Sequence, residues 1–321
     1  MAMTSPRPLY LRLSVTDRCN LRCGYCRPGK GGDPVDGTGL LSDEEILALL
    51  SLVKASLPLY KVRLTGGDPL VRPDLAGLVK KIRLELPMVE LGATTNGLLL
   101  SRQADALKRA GLDSLNISLD TADAGKFFEI SGRDAWSEVN EGIRAAKKAG
   151  FRKIKLNAVL LRSINGDNLP GLVRFANDVD CELRLIELMP IGVAAQLFQA
   201  EFLSAHEALS ILRTHFGDPV PLGLSGTATR YLYSHSGRQI VLGVIQTLSA
   251  PFCSTCDRLR IDSRGWLYPC LHDYQGVNLQ MLSKSGKIDQ AKHAIREAHG
   301  KPGEKQPALD WTSRPMIHIG G

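Results

Sequence analysis

Six short apolar stretches, at residues 9–15, 62–65, 89–94, 114–119, 154–160 and 182–188, alternate with segments of helical periodicity through the first 190 residues. This alternation restricts the fold strongly, because strand–helix–strand units of this length build a parallel sheet with right-handed crossovers. Helix ends are marked as well. Ser42-Asp-Glu-Glu45 forms a capping box for a helix running to about Ser56. Helices over 101–110 and 135–149 stop at Gly111 and Gly150, in the position that left-handed backbone prefers. Six units predict an α/β fold built on a partial (β/α)6 TIM-type barrel, open rather than closed into eight. Gly66-Gly-Asp-Pro69, Thr95-Asn-Gly97, Asp120, Asn165 and Met189-Pro190 follow strands two to six. Each alone reads as turn punctuation, but in a parallel barrel these strand ends share one rim, where active sites form.

The loop after the first strand carries Cys19, Cys23 and Cys26 in Cys-x3-Cys-x2-Cys spacing. A cubane [4Fe–4S] cluster normally takes four thiolates. Three on one short loop leave one iron open, and the amino and carboxylate groups of S-adenosylmethionine suit that position. A structural zinc site needs a fourth protein ligand. No histidine lies in the first stretch to supply it, so the cluster outweighs zinc here.

The chain has 321 residues, 44% of them hydrophobic, which is ample for a core. No run is long enough to span a bilayer, and Met1-Ala-Met-Thr-Ser-Pro-Arg lacks the apolar segment of a secretory signal. Seven cysteines without an export signal indicate reduced thiols and a cytoplasmic setting. Six fall in two compact groups, and Cys181 reads as a small core hydrophobe. The net charge of +7 is spread along the chain without a Lys/Arg block, which a small polyanion explains at least as well as nucleic acid.

After residue 190 the pattern changes, giving two expected domains, a barrel over 1–190 and a smaller α+β domain over 191–321. Ser204-Ala-His-Glu207 opens a capped helix ending near Gly217, and antiparallel strands are expected at 229–234 and 239–245. Residues 301–310 read as a mobile loop. Cys253-x2-Cys256-x13-Cys270 is a second trio. With His272 close by, Cys3His zinc remains open, while a second [4Fe–4S] cluster with one free iron is favoured. Arg258 and Arg260 follow in an extended segment and project to one face, where guanidinium forks suit phosphate oxygens. Arg12, Arg63, Lys155 and Arg184 lie on barrel strands, where a dry core would penalise them and an anion-holding cavity would not.

Leu11-Arg-Leu-Ser-Val-Thr-Asp-Arg-Cys-Asn-Leu-Arg-Cys-Gly-Tyr-Cys26 resembles the opening of the radical S-adenosylmethionine GTP 3′,8-cyclases of molybdenum cofactor biosynthesis (the MoaA family). The likeness continues through Lys61-Val-Arg-Leu-Thr-Gly-Gly-Asp-Pro69, Thr94-Thr-Asn-Gly97, Asn116-Ile-Ser-Leu-Asp120, Ser131-Gly-Arg-Asp134, Phe252–Arg260 and the closing Gly320-Gly321. It implies two [4Fe–4S] clusters, on Cys19, Cys23 and Cys26 and on Cys253, Cys256 and Cys270. Tyr25, Gly67, Ser118 and Met189 match positions around S-adenosylmethionine, with Gly66, Asp68 and Asn96 in the same motifs. Arg12, Arg63, Thr94, Lys155, Arg258, Leu259 and Arg260 match positions around GTP, Lys61 and Arg184 are further basic candidates, and the Gly320-Gly321 tail is expected to reach the site.

The implied reaction is abstraction of hydrogen from C3′ of GTP by a 5′-deoxyadenosyl radical and closure onto C8, giving (8S)-3′,8-cyclo-7,8-dihydroguanosine 5′-triphosphate. Implied partners are GTP, a downstream cyclic pyranopterin monophosphate synthase and an electron donor, with no membrane or nucleic acid and with a homodimer admissible. Two positions depart from the family pattern: Asp68 stands where Glu is usual, and Arg27 where Met is common. Two other readings remain at this point, a two-cluster radical enzyme acting on a peptide and a zinc protein binding nucleic acid. The Arg258/Arg260 pair and the diglycine end favour the nucleotide.

Overall fold

The computed structural model describes residues 7–26, 39–235, 237–273 and 275–300; Arg27, the 301–310 loop and Gly320-Gly321 lie outside them. Strands β1 (Leu9–Ser14), β2 (Leu59–Thr65), β3 (Glu90–Thr95), β4 (Ser114–Ser118), β5 (Lys153–Leu160) and β6 (Glu182–Glu187) pair side by side in chain order, all parallel. The crossovers are α1 (Asp43–Lys54), α2 (Leu75–Glu85), α3 (Leu100–Arg109), the pair α4 (Ala124–Ser131) and α5 (Trp136–Lys148), and α6 (Leu169–Asp178). The capping box holds α1, with the Glu45 N–H donating to Ser42 Oγ at 3.2 Å and the Ser42 N–H to Glu45 Oε2 at 2.9 Å. Gly111 and Gly150 close their helices at φ of +101° and +87°, as expected.

Period-two alternation decides which side chains meet the helices. Leu9, Leu11 and Leu13 of β1, Val62 and Leu64 of β2 and Leu115 and Ile117 of β4 are all buried in one core against the helix layer. Each fully buried Leu or Val contributes roughly 1.5–3 kcal/mol. The intervening residues point to the other, inner face, and many of those are charged.

Beyond β6 come α7 (Ala194–Glu201), α8 (Ala205–Phe216), β7 (Val220–Ser225), β8 (Ala228–His235) and β9 (Arg238–Ile245). Next are β10 (Arg258–Ile261), β11 (Trp266–Tyr268), β12 (Val277–Asn278), α9 (Leu279–Lys284) and α10 (Ile288–Gly300). One sheet runs β12-β11-β10-β1-β2-β3-β4-β5-β6-β9-β8-β7. β8 and β9 are antiparallel, while β9 also lies parallel to β6, and β10 lies parallel to β1. The open (β/α) barrel is thus extended at both edges by strands from the C-terminal segment.

Glu187 fastens one of these junctions. It is buried and accepts hydrogen bonds from the Ala205, Leu248 and Ser249 N–H groups, each at 3.0 Å, and from Ser249 Oγ at 2.6 Å. Burial alone would raise its carboxyl, but these donors hold it below the usual value. They bind the end of β6 to the start of α8 and to the segment leaving β9.

Candidate active site

The first trio follows β1 on the rim formed by the strand C-termini. Its loop is stitched to neighbouring strand ends by backbone bonds, Gly67 N–H to Thr16 O at 3.0 Å and Asp68 N–H to Arg18 O at 2.8 Å. Gly66 and Gly67 permit that approach. A Cβ on Gly66 would lie 2.3 Å from Thr16 O, and one on Gly67 would lie 2.2 Å from Arg18 O and 2.9 Å from Cys19 Cβ. On the other side Arg22 and Gly24 donate to the carbonyls of Ser131 and Ile130. Tyr25 OH donates to Asp120 Oδ2 at 2.9 Å, and the Val159 N–H donates to Asp120 Oδ1 at 2.8 Å. Burial raises Asp120 to about 6. Cys23 and Cys26 pack against an apolar cluster that includes Tyr25, Leu161, Ile164 and Leu188.

These residues fit an iron–sulfur cluster. Burial, with Asp120 beside it, pushes the Cys23 thiol well above its ordinary value, so a positive group is needed to draw the proton off. The Leu21 N–H and Asn96 Nδ2 donate toward Cys19 Sγ at 3.4 and 3.7 Å, as suits a thiolate ligand. Asn96 Nδ2 also donates to Asn20 Oδ1 at 2.7 Å. Ser118, at the end of β4, and Met189, just past β6, are half-buried on the same rim.

Asp68, standing where Glu is usual, is 1% exposed. It accepts from the Leu70 N–H at 2.9 Å, Thr95 Oγ1 at 2.8 Å and the Asn96 N–H at 2.6 Å. The shorter side chain fastens the β2 loop to the β3 loop and so positions Asn96. Asn165 is likewise a scaffold residue, donating from Nδ2 to the Asp120 and Val159 carbonyls at 3.0 and 2.7 Å.

The inner face carries the basic candidates. Register aligns Arg258, Tyr10 and Lys61 across β10, β1 and β2, and two residues further on aligns Arg260, Arg12 and Arg63. Arg63 is 3% exposed and donates to Tyr10 OH at 2.9 Å, Ala93 O at 3.0 Å and Ser114 Oγ at 3.2 Å. Stripping water from a guanidinium costs on the order of several kcal/mol, so a buried arginine needs such partners. Lys61 pairs with Glu90 at 2.9 Å, and Glu182 takes Arg184 at 2.8 Å and Lys155 at 3.8 Å. Arg258 donates to Thr227 Oγ1 at 2.9 Å. Burial lowers Arg12 and Arg260, and burial with Arg184 nearby brings Lys155 down to about 8. Thr94 Oγ1 and Asn157 Oδ1 are buried without a hydrogen-bond partner among the described residues, as expected of atoms that await a polar ligand. The Leu259 side chain is 0% exposed in the apolar core, because alternation turns it away from those of Arg258 and Arg260.

The second trio occupies the opposite rim. Cys253 and Cys256 precede β10, which is parallel to β1, and Cys270 follows β11, which runs back antiparallel. Six residues of β1, about 20 Å of strand, therefore separate the levels of the two trios. Cys270 Sγ lies 3.6 Å from His272 Nδ1, and burial with Arg260 nearby lowers His272 to about 4, so its ring is neutral. Among the described residues no three His, Cys, Asp or Glu side chains converge to hold a single ion. Ligands of a four-iron cluster each bind a different iron and need no common point. Tyr10, Glu90, Asn157 and Glu182 escaped the sequence reading. For Tyr10 a signal existed, since it sits two residues before Arg12 in a strand and must share its face.

Residues 13–176 match the family model of the radical SAM superfamily, and residues 181–306 match that of Molybdenum Cofactor Synthesis C. Over 316 residues the chain is 40% identical to the GTP 3′,8-cyclase of Mycobacterium sp. (strain KMS), covering 97% of this chain and 90% of the relative. It is 37% identical over 319 residues to the GTP 3′,8-cyclase of Streptomyces coelicolor, with 97% and 93% covered. Among solved structures, Streptococcus suis SuiB bound to S-adenosylmethionine superposes with a TM-score of 0.57 at 15% identity. That match covers 97% of this chain and 65% of the other, and it is a likeness of fold alone.

Proposed function

The chain belongs to the GTP 3′,8-cyclases of the radical SAM superfamily, and we propose that it closes GTP into 3′,8-cyclo-7,8-dihydro-GTP on the face between its two cysteine trios. The observation that carries this reading is the double row of cations on β10, β1 and β2, lying between a rim with Cys19, Cys23 and Cys26 and a rim with Cys253, Cys256 and Cys270. Those cysteines hold the two [4Fe–4S] clusters. When bound, the first cluster with S-adenosylmethionine supplies a 5′-deoxyadenosyl radical able to take hydrogen from C3′ of the ribose.

The chain's own part is to bind, orient and exclude water. Tyr25, Gly66, Gly67, Asn96, Ser118 and Met189 surround the S-adenosylmethionine, and Asp68 acts through Asn96 by fixing its backbone. Arg12, Lys61, Arg63, Lys155, Arg184, Arg258 and Arg260 neutralise the triphosphate, and Thr94 offers a hydroxyl without a protein partner among the described residues. Charge-assisted contacts of this kind are worth roughly 1.5–3 kcal/mol each. They hold the ribose at contact distance, where a primary alkyl radical must find it before solvent.

The two domains divide near residue 190, a boundary supported by the antiparallel ribbons β7-β8-β9 and β10-β11-β12, which lie wholly beyond it. No helix among the described residues is long and apolar enough to cross a membrane. The reading adds a cytoplasmic setting, a separate electron donor, a cyclic pyranopterin monophosphate synthase that consumes the product, and an admissible homodimer.

Anaerobic incubation of the reconstituted protein with S-adenosylmethionine, reductant and GTP tests it. The expected outcome is 5′-deoxyadenosine formed in step with a chromatographically distinct isomer of GTP. Deoxyadenosine released at the same rate with and without GTP, and no such isomer, overturns the assignment.

A further inference from the structure

Five of the six inner-face positions in the two rows across β10, β1 and β2 are cations: Arg258 and Lys61 in one row, Arg260, Arg12 and Arg63 in the next. The sixth is Tyr10. Like charges on adjacent strands repel, and the tyrosine occupies the place where contact with most of them is available. Its hydroxyl accepts from Arg63 Nε at 2.9 Å. Its ring centroid lies 5.2 Å from Lys61 Nζ and 5.2 Å from the Arg258 guanidinium carbon. Tyr60 packs tilted at 6.5 Å and donates its own hydroxyl to Asp257 at 2.6 Å, so that carboxylate is engaged elsewhere. Glu90, the acid facing Lys61 from β3, is paired with it at 2.9 Å.

We propose that Tyr10 is a positioning residue and the internal counter-ion of the phosphate clamp: in the free enzyme its phenolate oxygen holds Arg63 and Arg12, and it takes up a proton from solvent when a nucleoside triphosphate arrives. The balance is simple. The phenolate plus one proton becomes phenol as the phosphate oxygens take over the guanidinium charge, and no bond to substrate forms or breaks. Burial by itself would raise this phenol, yet Arg63, Arg12, Arg258 and Lys61 together bring it down to about 7. The clamp is thereby kept assembled without its ligand, which lowers the cost of organising five repelling side chains at the moment of binding. A neutral ring remains afterwards as a cation–π platform for Lys61 and Arg258.

This inference rests on the GTP reading above, and calorimetry separates the two. GTP is titrated into anaerobic, two-cluster wild-type protein and into Tyr10→Phe at pH 7.5, each in two buffers of different ionisation heat. The variant keeps the ring and loses the ionisable oxygen. The γ-phosphate's own proton is common to both and cancels in the difference. Wild type is expected to take up roughly 0.8 proton per GTP more than the variant, the share of a phenol near 7 that is ionised at that pH. The excess should vanish at pH 5.5, where Tyr10 is already protonated. A change in packing alone moves affinity and leaves the proton count unmoved. Equal uptake in both proteins with GTP bound overturns the inference and spares the site, whereas failure of GTP to bind wild type overturns the site and this inference together. Should the Phe variant not fold, Tyr10→Leu gives the same proton count comparison.

Discussion

Lys155 lies 3.8 Å from Glu182, and burial with Arg184 beside it brings its ammonium down to about 8. Two opposite pH dependences result. In the GTP-free protein a depressed lysine penalises the charged form, so its contribution to stability improves as pH rises from 8 toward the ordinary 10.5. GTP affinity runs the other way, because phosphate rewards the charge that is lost above pH 8. Wild-type affinity for GTP should therefore fall between pH 7.5 and 9, by up to about eightfold, the drop in protonated lysine over that range for a group near 8. Lys155→Arg should remove that part of the fall. Equilibrium binding across this range decides it, and a variant with the same slope as wild type would refute the role. The identity of such residues was legible in the sequence wherever strand periodicity placed a charge inward. That legibility did not extend to the packing of Asp68 and Leu259, because a motif position does not reveal whether a side chain is turned into its own scaffold.

At the scale of elements, β3 serves β2 by what it lacks. A Cβ on Gly92 would stand 2.6 Å from Ser114 Oγ and 2.8 Å from the Arg63 guanidinium. The bare backbone lets Arg63 reach across β3 to β4, the kind of close approach for which glycine is kept inside a strand. Gly92→Ala should displace Arg63, weaken GTP binding about tenfold, the equivalent of one net hydrogen bond, and leave the iron content unchanged. Parallel measurement of GTP dissociation and bound iron checks this; unaltered affinity would show that Arg63 has slack. The sequence revealed β1 to β6 within a few residues because each buries one apolar face against helices, and it revealed the capping boxes. β7 was missed because Pro221 and Gly223 disguise an edge strand. The parallel pairing of β9 to β6 and β10 to β1 was also out of reach, since periodicity specifies a strand's faces and says nothing of its partner.

Those two pairings govern the molecule as a whole. The C-terminal segment supplies β10 to the β1 edge and β9 to the β6 edge, and α10 packs against α1 and β10. Arg264, in the turn after β10, meets the fully buried Asp17 at 3.1 Å, which ties this segment to the root of the first cysteine loop. A chain ending at residue 190 keeps all six parallel strands and the five crossovers between them, yet bares both sheet edges and strips buried partners such as Ile261 and Val244 from the common core. Unpaired, apolar edges pair with other chains, and each lost side-chain contact of that size removes roughly 1.5–3 kcal/mol from a fold whose net stability is only about 5–15 kcal/mol. Residues 1–190 alone should therefore aggregate, unfold without cooperativity and fail to retain the first cluster, although all three of its cysteines are present. Size-exclusion chromatography, a thermal melt and iron quantification on that fragment test the point. A monomeric fragment with a sharp melt and about four irons would mean that the two halves fold independently and that the edge strands are additions to a barrel already complete.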